Sequence, residues 1–130
     1  MLAAAGRAAD RTLVAVGADI ERVAWAIDAT RAAGATSIGA FVNVVVGDDL
    51  YVARRLASGG MSTFARFSVM DGTVRTPIDD ESRATLRSVH EAYNMGSHTQ
   101  TGSAQADQLD PTFMDRFGII GSAEHCASRL

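Results

Sequence analysis

Residues 37 to 49 read SIGAFVNVVVGDD, and between Ile38 and Val46 only Gly39 and Asn43 interrupt a run of apolar, mostly β-branched or aromatic side chains. Closed by Gly47-Asp48-Asp49, this is the pattern of a strand covered on both faces, as in a parallel sheet wrapped by helices. A fold for this chain has to cover that strand twice, and the rest of the sequence must show with what.

Upstream, residues 2 to 9 (LAAAGRAA) read as the tail of a helix with Gly6 as a weak point, and residues 12 to 16 (TLVAV) as a short strand. Asp19 is a good N-cap for the segment that follows, where Ile20, Val23, Ala24 and Ile27 form an apolar stripe beside Trp25. Glu21, Arg22 and Asp28 fall on the polar side, and Gly34 closes the helix. After the long apolar run, Asp48 or Asp49 caps a second helix, Leu50 to Ser58, with Val52, Ala53 and Leu56 inward. Strands alternating with helices of this length predict βαβ units and a parallel sheet with right-handed crossovers.

Past Gly59-Gly60 the pattern loosens. Met61, Phe64 and Ala65 keep helical spacing, Asp71-Gly72 and Thr76-Pro77 mark a loop, and Asp79 or Asp80 opens a helix carrying Leu86, Val89 and Tyr93 on one face. Residues 94 to 108 (NMGSHTQTGSAQADQ) are polar and without period, a loop of a length that compact domains usually keep for function. Asp110-Pro111 starts a short helix through Phe117, residues 118 to 121 form a brief extended connection, and Ser122 caps a last helix.

Composition narrows the function classes. The chain has 130 residues, 47% hydrophobic and 21% charged, which suits one globular region with a real core. Net charge is −3 and the 12 basic residues, all Arg, are scattered, so no footprint for nucleic acid or an anionic membrane is present. One cysteine, Cys126, cannot form an internal disulfide, and there is neither an apolar leader nor a spanning run of about eighteen apolar residues. The expected compartment is the cytoplasm. The three histidines lack zinc-ligand spacing, so no metal site is expected, and adjacent His125 and Cys126 point about 100° apart on a helix, which argues against a catalytic pair.

The covering of the apolar run can be put as arithmetic. Two right-handed crossovers place both helices on one side, which would cover Ile38, Ala40, Val42, Val44 and Val46. Gly39, Phe41, Asn43 and Val45 would then have no cover unless the loop-rich second half folds under. Leaving such apolar side chains wet forfeits about 1.5 to 3 kcal/mol each, and a two-stranded parallel sheet does not stand alone.

Four blocks in order, AAAGRAADRTLVAVGADIERVAWAI, GAFVNVVVGDD with an Arg-rich helix after it, TFARFSVM, and DRFGIIGSAEHCASRL, resemble the luciferase-like monooxygenase superfamily, particularly its deazaflavin (coenzyme F-420) dependent oxidoreductases. The resemblance implies an α/β fold, a partial (β/α)8 TIM barrel of about two parallel strands with crossover helices plus a helical and loop insertion. Residues 1–130 would form a single region, from the sixth strand to the helix before the eighth, with no separate second domain. Phe41 and Asn43 would face the barrel interior, and the absent strands would be the missing cover. It also implies coenzyme F-420 or FMN as cofactor in the full-length family, with hydride transfer or oxygen insertion on a small organic substrate. This chain alone is then expected to be inactive and to bind no cofactor tightly, because the family's phosphate grip lies in earlier elements.

Three residues are candidates for a site. Asn43, polar near the C-terminal end of an apolar strand, lines a cofactor or substrate pocket or else makes a structural hydrogen bond. Gly17 lets a cofactor ring approach the backbone or forms a plain strand-to-helix turn. His98 is a lid residue or proton donor over the barrel mouth, or a solvated loop histidine. The competing expectation is a non-enzymatic α/β interaction module that oligomerises through its sheet edge. Either way a homo-oligomer or the missing part of a barrel is the expected partner.

Overall fold

The computed structural model describes residues 1–130 as an α/β chain of six α-helices and four short parallel strands. Helix α1 (Leu2–Ala8) leads to β1 (Arg11–Val14), helix α2 (Ile20–Arg31) and strand β2 (Ser37–Ala40). Strand β3 (Val44–Val46) precedes α3 (Leu50–Phe67), α4 (Asp80–Ala92), α5 (Pro111–Phe117), β4 (Ile119–Gly121) and α6 (Ala123–Arg129). No helix is long and apolar enough to cross a membrane.

The apolar run of residues 38 to 46 divides into β2 and β3, each with its own partner. Strand β2 pairs with β1 in register Thr12↔Ile38, and β3 pairs with β4 in register Val45↔Ile120. The exchange takes three residues, 41 to 43: the Phe41 N–H donates to Val14 O (2.8 Å), and Asn43 O accepts from the Ile119 N–H (2.9 Å). Residues 118 to 121, expected as a simple connection, thus supply a further strand.

The same division corrects the expected covering. Val45 packs against the main core and Phe41 stacks on Phe64 of α3 at 4.8 Å, so α3 covers the parity predicted to lack cover. Val46, on the parity predicted to be covered, is 61% exposed, and Leu13 on β1 is 60% exposed. The strand is still covered incompletely, but the bare side chains are different ones.

Helix α2 is turned relative to its predicted stripe. Ile20 lies in solvent, whereas Arg22, Ala26 and Thr30 are buried. The cause is the close approach of α1: a Cβ on Gly6 would stand 2.5 Å from Thr30 O and 3.0 Å from the Ala33 Cβ. Only small side chains permit that spacing, so Gly6 is a contact point and the Ala26–Thr30 side of α2 meets it.

Helix α3 continues through Gly59-Gly60 to Phe67, beyond the expected end at Ser58. Each glycine in a helix interior costs about 1 kcal/mol relative to alanine, and packing explains both. A Cβ at Gly59 would collide with Thr99 O of the long loop, and one at Gly60 would meet Asn43 Oδ1 at 3.3 Å. The buried row of α3 is Ala53, Ala57, Met61 and Ala65, while Val52 and Leu56, expected inward, are exposed. Against that row pack Leu86 and Val89 of α4 and Phe113, Met114 and Phe117 of α5. Burying each large member contributes about 1.5–3 kcal/mol.

Candidate functional site

In α/β folds, chemistry gathers where strands end, and here those ends are built by helix caps and turns. Beyond β1 the chain turns at Gly17 (φ 90) into Asp19, whose Oδ1 accepts the N–H groups of Glu21 and Arg22. The Gly17 conformation is one that L side chains rarely adopt. A Cβ there would also lie 2.7 Å from the Phe117 ring. The aromatic ring that approaches Gly17 is therefore the chain's own Phe117, which is buried, stacks on Phe113 at 4.8 Å and has the Arg22 guanidinium 5.5 Å from its centroid.

Asn43 sits at the crossing between the two strand pairs. Its carbonyl is used by Ile119, and its side-chain oxygen faces Gly60 of α3. His98 is exposed on the loop of residues 94 to 108, with its Nδ1 hydrogen-bonded to the Tyr93 hydroxyl. Thr99, next to it, rests on Gly59. Asn43 and the His98 loop thus contact α3 at neighbouring glycines.

At the ends of β3 and β4 lies a polar cleft of about 380 Å³, bordered by Asp48, Arg54, Asp115, Ser122, His125 and Arg129. Arg54 holds Asp115 with two hydrogen bonds, 3.0 and 2.7 Å, which raise the Arg54 pKa above its ordinary value. Arg129 donates to Asp115 O (3.2 Å) and Ala18 O (3.4 Å), tying α6 to the turn after β1. Acids and bases are balanced in this cleft, which suits it to holding a polar group more than to moving a proton.

A larger cleft of about 810 Å³ opens between α1, the β1 segment, α2 and residues 67 to 76. Val14, Val16, Trp25, Phe67 and Met70 give it an apolar lining, and Arg22 and Thr12 also border it. Arg22 is fully buried, donating from Nε to Val16 O (2.9 Å), from Nη2 to Ser68 Oγ (2.9 Å) and from Nη1 to Thr76 Oγ1. Sequence reasoning placed Arg22 in solvent. The signal it passed over was the spacing Arg22, Ala26, Thr30, a small-residue row able to meet the Ala-rich first helix.

Gly17, Asn43 and His98 do not line either cleft. Phe117 occupies the space beside Gly17, and Asn43 faces Gly60 of α3. No group of three or more His, Cys, Asp or Glu side chains is placed to hold a metal ion. Among known proteins, a family model described as luciferase-like monooxygenase matches residues 1–130. No curated protein matches the chain.

Proposed function

Since the chain belongs to the luciferase-like monooxygenase family, we propose that it is the carboxyl-terminal portion of a flavin- or deazaflavin-dependent oxidoreductase barrel. The assembled barrel, not this portion alone, carries out hydride transfer or oxygen insertion on a small organic substrate. The observation that supports this reading is the bare sheet: Leu13, Val44 and Val46 are exposed on strands that lie in two-stranded pairs. A sheet of this kind gains most from further strands beside it. In the assembled barrel, Asn43 and His98 act as wall and lid residues of the substrate pocket, and FMN or F-420 is gripped by earlier elements.

Titration of the purified chain with FMN and with F-420, followed by equilibrium dialysis, tests the reading. The expected result is no stoichiometric binding of either. Tight one-to-one binding would show that the cofactor grip lies within these residues after all.

The second reading, a non-enzymatic module that oligomerises through its sheet edge, is favoured by the same exposed side chains. Size-exclusion chromatography with light scattering separates the two. A stable dimer that reverts to monomer on Leu13→Thr with Val46→Thr supports the module, and a soluble monomer or non-specific aggregate supports the barrel portion.

A further inference from the structure

The larger cleft borders two groups whose bonding capacity is not used within the chain. Arg22 takes part in none of the chain's ion pairs. Its acceptors are one carbonyl and two hydroxyls, which leaves guanidinium donors over. Burial lowers its pKa from the ordinary arginine value to about 10, with Asp19 opposing the change and Arg116 and Arg83 adding to it. Thr12 is 5% exposed, and its hydroxyl has no hydrogen-bond partner. A desolvated cation and an unpartnered hydroxyl each cost free energy until something meets them.

The surroundings say what would meet them. The walls are apolar, and the volume lies in the range of small-molecule sites, roughly 300–1,000 Å³. A guanidinium matches a planar carboxylate two-prong to two-prong. Asp71 and Arg75 also border the cleft and pair with each other, so Arg22 is the lining charge left without an ion-pair partner, which matches a ligand carrying one negative charge. Thr12 and Val14, the two buried side chains of β1, border this cleft and not the polar cleft at the ends of β3 and β4.

We propose that this cleft binds an amphipathic monocarboxylate, with its chain against Val14, Trp25 and Met70 and its carboxylate directed to Arg22 and the hydroxyls of Thr12, Ser68 and Thr76. Leu13, which lines the cleft, is also one of the exposed residues behind the barrel reading, but Arg22 and Thr12 are not, so the octanoate and Thr12→Val measurements bear on this proposal alone.

Trp25 is the chain's one tryptophan and lines the cleft, so its emission reports occupancy. The purified chain is titrated with octanoate and with 1-octanol, which share a chain length and differ in charge. The expected result is a saturable change in Trp25 emission, with octanoate binding about tenfold tighter or more. Thr12→Val, which keeps the side chain's shape and removes a hydroxyl that nothing in the chain uses, is expected to leave the melting temperature in place. It should weaken octanoate several-fold without affecting octanol. Equal affinities for the two probes in the unmodified chain, no saturable response up to millimolar octanoate, or octanoate affinity unchanged in a folded Thr12→Val variant would each overturn the proposal.

Discussion

Arg116 donates to a single oxygen of Asp19 from both Nε (2.9 Å) and Nη2 (2.5 Å), joining residues 97 positions apart. The other Asp19 oxygen caps α2, and Nη1 of Arg116 reaches Asp79, the residue that caps α4. One arginine on α5 therefore holds together the starting points of two other helices.

Because the Arg116 side chain is 42% exposed, solvent screens part of this attraction. Arg116→Ala is expected to destabilise by about 1–2 kcal/mol. Asp19→Asn keeps a capping oxygen, so a double-mutant cycle between the two positions isolates the ion pair at about 0.5–1.5 kcal/mol. Urea denaturation midpoints measure both, and a coupling near zero would reduce Arg116 to a surface residue.

Gly17 carries two penalties for a side chain, its positive φ and the Phe117 ring behind it. Gly17→Ala is expected to cost about 2 kcal/mol or more. Adding Phe117→Leu removes the ring but not the strained backbone, so the double variant should be less destabilised than the sum of the two single changes. Strict additivity in thermal denaturation would mean that the ring and the glycine do not meet.

The paired glycines of α3 should respond differently to the same change. At Gly59 an added methyl runs into backbone at Thr99, whereas at Gly60 it meets the tip of the Asn43 side chain. Gly60→Ala is expected to be close to neutral or to stabilise by up to about 1 kcal/mol through helix propensity. Gly59→Ala should displace the loop and open residues 98 to 103 to limited proteolysis. Equal protease resistance in both variants would contradict this packing.

Asp71 has its pKa lowered, first by the Arg75 hydrogen bond and then by the Thr73 N–H. For a carboxylate lowered in the folded chain, the stabilising contact is complete above the ordinary aspartate pKa and is lost as pH falls through the lowered value. Carbon-detected NMR titration should place Asp71 below the usual aspartate range, and Arg75→Ala should move it upward; an unmoved midpoint would remove Arg75 as the cause.

Much of the local structure was legible in the sequence. Asp19, Asp110 and Ser122 each accept a backbone N–H at the start of a helix as predicted, and Asp49 and Asp79 do so from the expected alternatives Asp48 or Asp49 and Asp79 or Asp80. A cap acts within three residues, so a short window contains the whole interaction. The faces were less legible because distant partners decide them. The contact of Gly6 with Thr30 turned α2, and that of Thr99 with Gly59 carried α3 through two glycines. Of the candidate site, the burial of Arg22 was not legible because it depends on hydroxyls at Ser68 and Thr76, 46 and 54 residues away.

The loop of residues 94 to 108 is fastened twice. Fully buried Gln105 accepts from Asn94 N–H and Ser97 Oγ and donates to the carbonyls of both, and Thr99 is seated on Gly59. In polymer terms the long span becomes short arcs, and closure entropy rises only slowly with arc length. Extra residues spliced in after Gly102 would give up the long Ser103 N–H bond to Gln100 O while both moorings hold, so this segment can change in size without disturbing the helices beneath it.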